Sequence, residues 1–120
     1  MNFICVALGG ALGAIGRYSI SLIPIKSELP FLTLITNILG AMLIGFIVGI
    51  ADSKSNISQN TSLFWKTGVC GGFTTFSTFS LEAFNLLEKG KYSLCLTYIM
   101  LSVIGCVFGV YLGKRLSSLV

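Results

Sequence analysis

Four apolar runs, at approximately residues 3–23, 31–51, 67–87 and 92–112, divide this chain. Each is close to the ~20 residues that a helix needs to cross a ~30 Å hydrocarbon layer. Inside a bilayer each backbone N–H and C=O must find its partner within the protein, so runs of this length predict helices. The fold expected is an all-α integral membrane protein of four transmembrane helices, in one domain over residues 1–120.

The linkers are short. Residues 24–30 are bracketed by Pro24 and Pro30 and carry Lys26 and Glu28, so the chain must turn there. Residues 52–66 are rich in Ser and Asn and read as a solvated loop, and residues 88–91 as a tight turn. The N-terminus has no basic region, and its apolar stretch runs on to spanning length, which argues against a cleavable signal peptide. Only 10% of the residues are charged, against about 25% in a soluble domain, and histidine is absent. Cys5, Cys70, Cys95 and Cys106 all fall inside expected spans, as small hydrophobes rather than a disulfide or metal framework.

The net charge is +4, but the basic residues are dispersed and form no stripe for nucleic acid. Their information is topological. With four spans, Lys54, Lys66, Lys114 and Arg115 share one side, and Lys26, Lys89, Lys91 and Arg17 the other. An even split gives the positive-inside rule no grip. It favours a chain that inserts both ways and pairs head-to-tail over one whose orientation is set by some other feature. Small residues at helix-packing spacing (Gly9 and Gly13; Gly45 and Gly49; Gly105, Gly109 and Gly113) serve either packing within one subunit or a compact oligomer.

Function is expected where the runs violate apolarity. Arg17 either snorkels to the interface or faces a wet, anion-accommodating vestibule. The Asn37 amide is either interhelical glue or a donor to an anion or a carbonyl. Residues 68–82 are the most informative. Gly71 and Gly72, followed by Thr74 and Thr75, make a weak stretch of helix near the middle of the run. A helix broken there can present carbonyls to an ion; a kinked packing helix is the plain alternative. Phe76 and Phe79 share a helical face among the hydroxyls of Thr75, Ser77, Thr78 and Ser80. Ring edges are positive and can favour an anion, so among these hydroxyls the pair reads as an anion track, where two such rings alone would read as core or lipid-facing. Tyr98 is the only mid-helix phenol of the fourth run, either a donor to that track or packing filler. The role of Glu82 stays open.

Three strings carry a resemblance over nearly the whole chain: Gly-Gly-x-x-Gly-Ala-x-x-Arg-Tyr at 9–18, Thr-Leu-x-x-Asn-x-x-Gly at 33–40, and Gly-Gly-Phe-Thr-Thr-Phe-Ser-Thr-Phe at 71–79. Together they resemble the bacterial fluoride channel family, Fluc or CrcB. The resemblance implies a multi-pass protein of the cell membrane that lets cytoplasmic fluoride leave passively. It further implies an antiparallel, dual-topology dimer, built from two copies or with a sister chain, whose third helix is broken near the membrane centre. A structural sodium ion, not transported, is implied on the backbone carbonyls of Gly71 and Thr74. Asn37, Phe76, Phe79, Ser77, Thr78 and Tyr98 are implied along the fluoride pathway, and Arg17 at a vestibule. A small multidrug antiporter shares the four-helix plan but needs a buried carboxylate in its pathway, and the first run has none. A membrane scaffold would explain the glycines but not the hydroxyl–Phe track. An enzyme is disfavoured, because no nucleophile–base set is present.

Overall fold

The structure, a computed structural model, describes residues 1–53 and 57–120. Its regular elements are helical throughout. Helix α1 (Asn2–Ser21) and helix α2 (Phe31–Ser53) are joined by the proline-bracketed connection. A short helix α3 (Gln59–Ser62) leads into a π-helical segment (Leu63–Cys70) and then helix α4 (Gly71–Phe73). Helices α5 (Phe76–Glu88) and α6 (Tyr92–Ser117) complete the chain. Among the described residues three helices are long and apolar enough to cross a membrane: α1, α2 and α6.

Two boundaries differ from expectation. The polar stretch assigned to a loop over 52–66 is helical from Gln59 onward, because Ser58 caps it: its side chain accepts from the Thr61 N–H. Polarity marked exposure, not irregularity. Lys54, also placed in that loop, lies outside the described residues. Helix α6 continues past the expected end to Ser117, with Lys114 and Arg115 in its last turn, where cations favour the helix dipole.

The helices pair through glycines. A Cβ on Gly68 would stand 2.8 Å from the Gly9 Cα, and one on Gly13 2.7 Å from the Phe73 N, so α1 runs against the π-helical segment and α4 backbone to backbone. The matched residues rise together, which makes the first and third stretches parallel. Helices α2 and α6 pair the same way, with Gly109 over Ile38 and Gly113 over Met42 and Phe46. These glycines therefore pack within one chain, which removes them as an argument for an oligomer. A compact apolar cluster of Leu34, Ala83, Leu86, Cys95 and Tyr98 joins α2 to the α5–α6 hairpin. The Cys95 thiol donates to the Ala83 carbonyl at 3.3 Å, and all four cysteines are free.

Both ends of the bundle carry an ion pair. Lys91 pairs with Glu28, joining the α5–α6 turn to the first connection, and Lys114 lies 3.9 Å from Asp52 at the other end. The molecule measures 51 × 29 × 21 Å. Its thinnest dimension is about two helix diameters, so among the described residues the helices close no wide internal channel.

Candidate functional site

The third apolar stretch changes conformation at two residues. Thr74 (φ −85°, ψ 156°) and Thr75 (φ −148°, ψ 116°) are extended between α4 and α5. Gly71, by contrast, is ordinary right-handed helix (φ −63°, ψ −37°). The glycines are thus not where the helix yields. Gly72 is there because a Cβ would collide with the Gly10 backbone of α1. The β-branched threonines, which favour extended backbone, are where regular winding stops.

Most backbone groups around this point find partners among the described residues, and three carbonyls do not. Asn37, from α2, donates its Nδ2 to the Thr75 carbonyl at 3.1 Å and accepts the Thr75 N–H on Oδ1 at 2.9 Å. It therefore serves the backbone on both sides and keeps one amide hydrogen uncommitted. Thr75 caps α5, its Oγ1 accepting from the Thr78 N–H at 3.2 Å and donating to Thr78 Oγ1 at 3.1 Å. On the other side, Thr74 returns both its N–H (3.0 Å) and its hydroxyl (2.9 Å) to the Cys70 carbonyl. The Gly72 carbonyl, whose helical partner would have been the Phe76 N–H, instead accepts from Arg17 Nε at 3.3 Å. Arg17 is half-buried and turned to the protein at this point. The carbonyls of Gly71, Phe73 and Thr74 accept no hydrogen bond from any described residue.

Beside these residues runs an open groove of about 700 Å³. It brings together Asn37, Gly71, Thr74, Phe76 and Phe79 of the residues singled out from sequence. Ser77, Thr78, Tyr98 and Arg17 do not line it. Phe76 is 79% exposed, and its ring centroid lies 5.6 Å from that of Phe79, tilted by 45°. Phe79 in turn rests on Tyr98 at 5.1 Å. Tyr98 is fully buried and donates its hydroxyl to Glu82 Oε1 at 3.0 Å, so the phenol is already engaged. Ser77 is exposed, its hydroxyl 3.4 Å from Thr75 Oγ1.

Glu82, whose role the sequence left open, finds its partner here, and one residue, Ser102, was not singled out from sequence at all. Glu82 is the acceptor for Tyr98, a pairing that no local spacing announces because it crosses from α5 to α6. Ser102 lines the groove, is 6% exposed, and its hydroxyl has no hydrogen-bond partner. Its position one helical turn beyond Tyr98 was the available signal.

A thin bundle of long apolar helices, interrupted by extended residues beside an open groove, defines a small multi-pass membrane protein. Residues 4–114 match the family described as CrcB-like protein, Camphor Resistance (CrcB), and the chain belongs to that family. It is 45% identical to the "Fluoride-specific ion channel FluC" of Ruminiclostridium cellulolyticum, over 98% of this chain and 93% of that protein. Proteins of the same name from Chlorobium chlorochromatii (44% identity; 93% of this chain, 88% of the relative) and Methanococcus maripaludis (45%; 97% and 95%) are similarly close.

Proposed function

We propose that the chain is a fluoride-selective channel of the cell membrane, through which cytoplasmic fluoride leaves passively. It works as an antiparallel, dual-topology homodimer, and its third stretch crosses the bilayer as a broken helix with Thr74 and Thr75 near the membrane centre. A sister chain of opposite orientation would serve the same geometry. The observation that carries this reading is the extended Thr74–Thr75 pair, held by Asn37 and bordering a groove with Phe76 and Phe79. Full-length similarity to proteins named as fluoride-specific channels supports it.

Fluoride is small and strongly hydrated, so a route for it must replace water with donors that a larger halide cannot use together. The residues around the interruption supply such donors. Asn37 offers its remaining amide hydrogen, Ser102 an unpartnered hydroxyl, and Phe76 and Phe79 their positive ring edges. Ser77 and Thr78 extend the hydroxyl series along the first turn of α5. Tyr98 supports Phe79 from behind, and Glu82 holds its hydroxyl. Arg17 secures the Gly72 carbonyl and adds a fixed positive charge next to the extended residues.

The donorless carbonyls also fit a hard cation, which takes oxygen ligands. Gly71 and Thr74 of two copies would hold a sodium ion, which would supply fixed positive charge between the copies and would not be transported. Transport needs no coupling: a negative-inside potential drives a monovalent anion outward by ~2.3 kcal/mol per 100 mV. Expression of the chain in bacteria lacking a fluoride exporter tests the function. Growth in fluoride should be restored with tolerance to cationic dyes unchanged. Dye tolerance without fluoride tolerance would indicate an antiporter instead.

A further inference from the structure

We infer that Lys66 gathers fluoride at the mouth of the groove; the inference rests on the channel reading above. Lys66 lines the same groove as Asn37, Thr75, Phe76 and Phe79, and among the described residues that line it Lys66 alone is charged. The walls are otherwise neutral and largely aliphatic, with Ile44, Val103 and Val107 among them. Lys66 is exposed and makes no ion pair among the described residues, whereas Lys91 and Lys114 each face a carboxylate. Its charge is therefore not cancelled locally.

Lys66 comes to this position on the helical segment that precedes the extended residues: Lys66, Thr67, Cys70 and Gly71 lie three and four residues apart on one face of it, and all four line the groove. Arg17, expected from sequence at the vestibule, is engaged with Gly72 and does not line the groove. A single uncancelled charge over low-dielectric walls focuses its field along the groove and raises the local concentration of the opposite ion. In an antiparallel pair the two copies present one Lys66 toward each face of the membrane, so collection works from both sides.

Such steering weakens with salt, and a packing role does not. The test measures fluoride efflux from liposomes containing the purified parent chain, K66R, K66Q or K66E. It is run at about 10 mM and about 1 M of an impermeant salt, where the screening length falls from ~30 Å to ~3 Å. At low salt K66E should be slower than the parent by about tenfold, K66Q intermediate, and K66R like the parent. At high salt all four should converge to within about twofold. Equal rates for parent and K66E at low salt would overturn the role of Lys66 while leaving the channel intact. A loss of the same size at both salts, shared by K66R, would also overturn it, by showing a structural role. A parent chain with no efflux would bring down the channel reading and this inference with it.

Discussion

Asn37 shows how one side chain can be left with several readings by the sequence and given one by the fold. Sequence placed its amide between interhelical glue and a donor to an anion or a carbonyl, and in the fold it pins the N–H and C=O of Thr75. Asn37→Ala leaves two backbone groups without partners, at a cost of about 1–3 kcal/mol for each that stays buried, readable as a fall in thermal stability in detergent. Asn37→Asp keeps the acceptor for the Thr75 N–H but sets a carboxylate oxygen against the Thr75 carbonyl to which the amide donated, and should lose stability as well as abolish fluoride efflux. Phe76 is almost wholly exposed, so Phe76→Ile should leave stability within about 0.5 kcal/mol and still slow efflux. Ser102→Ala removes a hydroxyl that has no partner, and should be neutral or slightly stabilising yet reduce fluoride flux. Ser102 was missed because a serine in an apolar helix ordinarily bonds back to its own turn; only the fold reveals a buried hydroxyl left without a partner.

At the scale of elements, the glycine-rich stretches were legible as close-packing faces, but not as to which helix they meet. A small-xxx-small spacing records only that some backbone comes near, and here the partner is the same chain. Gly68→Ala should therefore destabilise the monomeric fold by about 1–3 kcal/mol, because the added methyl meets the Gly9 backbone, which cannot swing aside. Sequence marked Gly71, Gly72, Thr74 and Thr75 as a weak stretch of helix, and the extended backbone lies at the two threonines. Gly71 stays helical, and the extended residues are threonines held by Asn37 and a capping hydroxyl. Thr75→Ala should cost about 1 kcal/mol by removing the α5 cap, and Thr75→Ser should recover most of it. The π-helical winding left no mark in the sequence, because the same residue types form ordinary helices. Away from the membrane-spanning segments, the Glu28 carboxyl is held below its ordinary value, first by its hydrogen bond to Lys91 and then by that residue's charge. Its folded-state pKa is depressed, so the clip between the first connection and the α5–α6 turn persists above the ordinary carboxylate range. It is lost as pH falls through the lowered value. Side-chain NMR titration of Glu28 should show this depression, and Lys91→Gln should return it toward normal.

For the whole molecule, length and placement of the apolar runs were enough to give a helical multi-pass protein, and the second connection and the end of α6 were where polarity misled. Among the described residues each end of the bundle carries one ion pair, Lys91 with Glu28 and Lys114 with Asp52. A body only 21 Å thick encloses no wide passage among its described residues, so a second copy is proposed to complete the pathway. The most direct measurement is electrode-monitored efflux from liposomes loaded with fluoride or chloride and containing only this purified chain. Fluoride should be released rapidly once a permeant cation shunts the potential, chloride should be retained, and Phe76→Ile should cut the fluoride rate at least tenfold. Retained fluoride, or chloride leaving as readily as fluoride, would contradict the channel reading.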